Sequence, residues 1–242
     1  MVNLAVYAEG PTEWYAIYRL YSRDILSKAE LVGRTKRNDI GTWLKSREQI
    51  RDILTNKIPA FDGILLAFDQ EDDNTAKDTA DAIAGGSLSW STVAGFDNVF
   101  KGQLSNEIPV VLHVATAMSP DGNRDFDGYL LKMLDYLGGD AVDMWFKECK
   151  VPKYLKNHFD GKTINQMELH NLGLKGIPEL MNSSHWDILR SKTMLYAYIT
   201  ALQADKSHVW FSEKMIEYAR EDALRHIFAS LITAWDSLTV GE

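Results

Sequence analysis

Two stretches decide how this chain is read: Val2–Glu13, VNLAVYAEGPTE, and Ile64–Asp73, ILLAFDQEDD. Each is a short apolar run that ends abruptly in acid. Ile64–Phe68 is apolar at five consecutive positions, a pattern that suits a strand buried on both faces of a parallel sheet. The first run ends at Glu9 and passes through Gly10-Pro11-Thr12-Glu13 into a helical pattern. Gly10 supplies the turn. Pro11 suits the first helical position, where its missing N–H would have no partner anyway. The second run ends at Asp69, with Glu71, Asp72 and Asp73 close behind. If the two strands lie side by side and parallel, their carboxylates converge at the carboxyl edge of the sheet, where open α/β folds bind their ligands. Mg²⁺ takes oxygen ligands, commonly one or two carboxylates completed by water and phosphate. Carboxylates held this close repel one another, and a cation removes that conflict.

Working outward, Trp14, Ile17, Tyr18, Leu20, Tyr21 and Ile25 recur at helical spacing, and the helix is expected to end by Ser27. Leu31–Val32 reads as a short second strand. Gly41-Thr42 opens a helix with Trp43, Ile50, Ile53 and Leu54 inward, which Pro59 ends. Thr75–Ala84 is expected to be helical. GGSLSWSTVAGF, residues 85–96, reads as a mobile loop or an insertion. Ile108–Ala117 is a second continuous apolar run and a further central strand. Strands alternating with helices at crossover spacing predict an α/β fold with a parallel sheet. From Asp125 onward no segment reads as a strand. Helices are expected over 126–137, 142–146 and 188–204, with one long helix over 211–238. The expected layout is an α/β domain over residues 1–124 and an α-helical region, 125–242, packed on it.

Charged residues make up 25% and hydrophobic residues 45% of the 242, which places the chain among folded globular proteins. Cys149 is the one cysteine, so no intrachain disulfide can form, and a reducing compartment suits it. The opening segment carries no basic stretch before its acid, and no apolar run approaches the roughly 18 residues of a membrane helix. The expectation is therefore a cytoplasmic protein with no membrane partner. A net charge of −8 argues against nucleic acid wrapping the whole surface, since such binding rests on phosphate neutralisation. One local exception stands out. Arg34, Lys36, Arg37, Lys45, Arg47 and Arg51 face only Asp39 and Glu48 in the same segment. Such a cluster is by default a solvated helix face, and it becomes a phosphate-positioning surface if it borders the acids.

Glu9-Gly10-Pro11-Thr12-Glu13, at the end of a first strand and opening a helix, resembles the E-G-x-T-E signature of the Toprim superfamily. This is the catalytic domain of topoisomerases, primases and overcoming-lysogenization-defect (OLD) nucleases. Asp69-Gln70-Glu71 stands in the place of the family's D-x-D motif. The resemblance covers roughly the first half of the chain and is closest to small stand-alone prokaryotic Toprim-like proteins of uncharacterised function. It implies a four-stranded parallel sheet between helices, Mg²⁺ or Mn²⁺ held by the acids, and phosphodiester chemistry on DNA or RNA. Carried over residue by residue, Glu9 takes the catalytic proton-transfer role or a metal role, and Asp69 and Glu71 hold metal. Glu13 matches the second Glu of the OLD-like variant, and Asp73 enters if the loop register differs by two. The departure is Glu71, whose carboxylate stands one methylene further out than the usual Asp. No topoisomerase tyrosine is identifiable by position. The chain has no G-x-x-x-x-G-K-[ST] motif, and Asn74 and Ala80 break a calcium-loop reading of 69–80.

Each acid also has a plainer explanation. Glu13 in a first turn interacts favourably with the helix dipole, and Asp72, Asp73, Asp78 and Asp81 suit a solvated helix and its approach. Asp121, Arg124, Asp125 and Asp127 follow the last core strand and either line the same edge or cap a helix. His113 within an apolar run reads first as a core residue. Two functions are carried forward. One is an Mg²⁺- or Mn²⁺-dependent phosphodiester hydrolase acting on nucleic acid. The other is a non-catalytic Toprim-like module that binds metal, nucleotide or a partner. In either, the helical half is the surface on which a partner protein or a second copy would dock.

Overall fold

A computed structural model of the chain describes residues 2–31, 61–70, 75–105, 107–116, 125–134, 136, 146–147, 154–156, 163–184, 191–201 and 207–240. The strand β1 (Asn3–Ala8) runs into helix α1 (Pro11–Ser22), and Glu30–Leu31 forms a two-residue strand β2. Then come β3 (Gly63–Asp69), α2 (Ala76–Ala84), β4 (Ser91–Thr92), β5 (Val99–Gln103) and β6 (Pro109–Ala115). The sheet order is β2-β1-β3-β6-β5-β4. The first four strands are mutually parallel, and β5 and β4 add an antiparallel edge. The protein is thus a mixed α/β fold around a six-stranded, mostly parallel sheet.

The parallel core follows from the apolar runs. Ile64, Leu65, Leu66 and Ala67 are all buried, because β3 has β1 on one side, β6 on the other and helices on both faces. On one face Ile64, Leu66 and Phe68 pack with Ala76, Ala80 and Ile83 of α2. On the other, Leu65 and Ala67 join a larger cluster that includes Ile17 and Leu20 of α1 and residues far down the chain.

Those later residues sit on helices α3 (Phe126–Leu134), α4 (Gln166–Asn171), α5 (Ile177–Ser183), α6 (Ser191–Ala201), α7 (His208–Tyr218), α8 (Glu221–Ile227) and α9 (Ala229–Thr239). Helix α9 lies across β3, β5 and β6, and α7 packs on α1. Trp235 is fully buried and donates from Nε1 to the Ser27 carbonyl at 2.9 Å. Residues before and after 125 therefore share one hydrophobic core. Among the described residues no helix is long and apolar enough to cross a membrane.

Four expectations are corrected. The sheet is not wholly parallel. The Gly/Ser-rich 85–96 stretch is not simply a loop, because it contains β4 and leads into β5. Trp90 anchors it, donating from Nε1 to the Ala80 carbonyl at 2.7 Å and lying against Gly102, where a Cβ would stand 3.0 Å from the indole. The second half does contain strands, since β7 (Tyr154–Lys156) and β8 (Thr163–Asn165) pair antiparallel. Three-residue strands are too short to show a period. Finally, the expected helix over 211–238 is three helices. The first break falls at Ala219–Arg220, both extended, with no Gly or Pro to announce it. Arg23, the residue just past α1, supplies the reason: its guanidinium donates to the Ile216 and Ala219 carbonyls at 2.6 and 2.7 Å, satisfying the end of α7 from outside.

Candidate functional site

Strands β1 and β3 are adjacent and parallel, with Ala8 beside Ala67. Glu9 and Asp69 therefore emerge at the same edge. The Glu9 N–H donates to the Ala67 carbonyl at 3.0 Å, and the Asp69 N–H donates to Glu9 Oε2 at 2.9 Å. Strand β6 extends that edge, since the Gln70 N–H donates to the Ala115 carbonyl at 3.2 Å. Thr79 of α2 donates to the Gln70 carbonyl at 2.8 Å and ties down the chain just past Asp69.

Glu13 returns to this edge from the first turn of α1. Gly10 is the N-cap and carries no side chain to serve the free N–H groups of that turn. The Glu13 carboxylate takes the place of a cap, held by its own N–H and that of Gly10. This resembles the glutamate half of a capping box. The residue is 7% exposed, and its Oε2 is buried without a hydrogen-bond donor among the described residues. An added Cβ on Gly10 would lie 2.9 Å from that oxygen, so a side chain there would displace the carboxylate, while the backbone angle itself suits any residue.

Two further acids, Asp125 and Asp127, arrive at the start of α3. The Phe126 N–H donates to Asp69 Oδ1 at 2.9 Å, so the start of α3 abuts the end of β3. Asp125 caps the helix: its Oδ1 accepts from the Gly128 N–H at 3.1 Å. Asp127 is buried in the first turn. The sequence left this pair open between the edge and a cap. Asp125 is a cap, and both residues are at the edge. What signalled them was position alone, ten residues beyond a central strand whose end faces the site.

The electrostatics are those of crowded acids. Burial is the largest effect on Glu13 and raises its carboxyl to about 7, with the charges of Asp127 and Glu9 pushing the same way. Asp69 retains some surface as a residue, yet its carboxyl is raised well above the ordinary range. Burial again comes first, then the charges of Glu13, Glu9 and Asp125, against the opposing Phe126 hydrogen bond. Each of these charge effects comes from another carboxylate. Hard oxygen donors, one of them buried without a donor, fit a divalent cation such as Mg²⁺ or Mn²⁺. Even so, no three His, Cys, Asp or Glu side chains among the described residues close around a common point. Glu9 Oε2 and Asp69 Oδ1 are turned onto backbone N–H groups instead.

Of the remaining expected site residues, Glu71 and Asp73 lie outside the described residues, as do Arg34, Lys36, Arg37, Lys45, Arg47 and Arg51. His113 is fully buried, with Nε2 3.0 Å from Ser230 Oγ on α9 and Nδ1 without a partner among the described residues. Burial lowers its pKa to about 3, so it is a neutral core residue at physiological pH. Tyr129 of α3 receives the Thr116 N–H at a long 3.5 Å, and its ring packs against those of Phe126 and Phe228.

Comparison with protein-family models, with curated protein sequences and with solved structures finds no match to this chain.

Proposed function

We propose that this chain is a Toprim-like, Mg²⁺- or Mn²⁺-dependent phosphodiester hydrolase acting on nucleic acid. The observation that carries the reading is the meeting of Glu9 and Asp69 at the ends of adjacent parallel strands, with Glu13 buried beside them. Those are the positions whose motifs resemble the Toprim signature. Residues Asp69, Glu13 and Glu71 would hold the cation, with Asp73 as a further candidate. When bound, a divalent cation polarises a phosphate oxygen and lowers the pKa of water. Glu9 stays at the strand end, where a carboxylate can accept a proton from the attacking water or return one to the leaving oxygen. The basic residues between Arg34 and Arg51 would position the phosphodiester backbone.

The test is direct. Purified protein with Mn²⁺ is incubated with single- and double-stranded DNA, RNA and a small aryl phosphodiester. Cleavage that Glu9→Gln and Asp69→Asn abolish supports the reading; absence of cleavage on every substrate overturns it. One observation favours the non-catalytic alternative: Glu9 and Asp69 each commit an oxygen to a backbone N–H rather than to a shared centre. In that reading the edge binds metal or nucleotide without turnover, and calorimetry shows binding where the cleavage assays show nothing.

A further inference from the structure

The start of α3 does two jobs with two backbone amides of its first turn. The Gly128 N–H is taken by Asp125 Oδ1 at 3.1 Å and also reaches the Asp125 carbonyl at 3.1 Å, which closes the first turn. The Phe126 N–H points out of that turn and is given to Asp69 Oδ1 at 2.9 Å. Phe126 cannot shift easily, because its ring is buried against Tyr129 and Phe228 at centroid distances of 5.5 and 5.7 Å. One carboxylate oxygen of Asp69 is thus held by a rigid donor, and the orientation of the other oxygen follows. Ligating carboxylates depend on such hydrogen-bonded supports, whose loss costs metal affinity without removing a ligand.

We infer that Asp125 is a positioning residue for the cation site: by capping α3 it fixes the Phe126 N–H that orients Asp69. Asp125 acts through the helix and need not touch the cation. The inference rests on the proposed cation site, and the experiment separates the two. An Asp125 that served as a ligand would be damaged equally by Gly and Ala, neither of which carries a side-chain oxygen. An Asp125 that serves as a cap is not, because glycine caps helices nearly as well as the polar caps and alanine does not. Gly and Ala remove the same charge and the same oxygens, so the difference between them isolates the cap.

Mn²⁺ binding is measured by titration calorimetry on the full chain for wild type, Asp125→Gly, Asp125→Ala, Asp69→Asn and Asn165→Ala, at a temperature where all are folded by circular dichroism. Asn165 caps α4 with a capping box of its own, so Asn165→Ala imposes comparable cap loss at another helix. The expected result is that Asp125→Ala binds at least two-fold more weakly than Asp125→Gly, while Asn165→Ala binds like wild type. Equal affinities for the Gly and Ala variants overturn the positioning role, whether both match wild type or both are weakened. So does weakening by Asn165→Ala as large as that by Asp125→Ala, which would mean that affinity follows stability. If wild type binds no Mn²⁺, the cation site itself falls and the positioning role with it. If binding persists unchanged in Asp69→Asn, the cation site is elsewhere and the inference is again overturned.

Discussion

The backbone N–H of Asp69 donates to the Glu9 carboxylate at 2.9 Å, joining the ends of two adjacent parallel strands through the side chain of one and the main chain of the other. The bond orients Glu9 without neutralising either carboxylate. Glu9→Gln keeps an oxygen to accept this bond and removes one repulsive charge from Asp69 and Glu13. In EDTA the variant should melt higher than wild type, where about 1 kcal/mol corresponds to roughly 2–4 °C in a chain of this size. With Mn²⁺ present the order should reverse, since the variant has lost part of the site. A lower melting temperature in EDTA would show that Glu9 is structural rather than poised for a cation.

Glu13 sets a pH dependence of the less common sign. Its carboxyl is raised from 4.5 to about 7 in the folded protein, so between those values the folded state holds a proton that the unfolded state has released. Stability should therefore fall as pH rises from about 4.5 to 7 in EDTA, by roughly 3 kcal/mol at full effect. Glu13→Gln should flatten that limb in urea titrations. A wild-type curve without the decline would contradict the burial of this group.

His113 acts in the opposite direction. Its folded pKa is lowered from 6.5 to about 3, so it must take up a proton on acid unfolding. Its contribution is complete above pH 6.5 and is lost as pH falls toward 3, on the order of 5 kcal/mol at the limit. His113→Gln should melt lower at pH 7 but lose less stability on going to pH 4. Parallel pH profiles for the two proteins would overturn the assignment.

Gly10→Ala brings a methyl group within 2.9 Å of Glu13 Oε2 and forces that carboxylate to move. Alanine is also a poorer N-cap than glycine, so a stability loss of about 1 kcal/mol is expected. The larger effect should be on Mn²⁺ affinity, at least ten-fold by calorimetry. Unchanged affinity would remove Glu13 from the site.

A fragment of residues 1–124 should not fold alone. Helix α9 covers β3, β5 and β6, and Trp235, Leu231 and Ala234 are fully buried in the same cluster as Leu65 and Ala67. In the full chain, Trp235→Ala should cost about 3–5 kcal/mol. A fragment with a cooperative melt and dispersed amide resonances would show that the α/β part is autonomous.

How much was legible beforehand depends on the range of the forces involved. The runs Val2–Ala8, Ile64–Phe68 and Ile108–Ala117 announced β1, β3 and β6, because strands buried on both faces must be apolar throughout. Acid directly after two of those runs marked Glu9 and Asp69, and Gly10-Pro11 marked the start of α1. By itself, then, the sequence determined the α/β class, the parallel centre of the sheet and which edge carries the acids. Only the tertiary structure decided the rest. The antiparallel pair β5 and β4 depends on Trp90 reaching Ala80 and Gly102. The break after α7 depends on Arg23, nearly two hundred residues earlier in the chain. Asp127 and Asp125 join Glu13 and Asp69 because the Phe126 N–H meets a strand end 57 residues before it. None of these has a local signature. Periodicity reports burial along one element, whereas the site was assembled by hydrogen bonds and charges between elements distant in sequence.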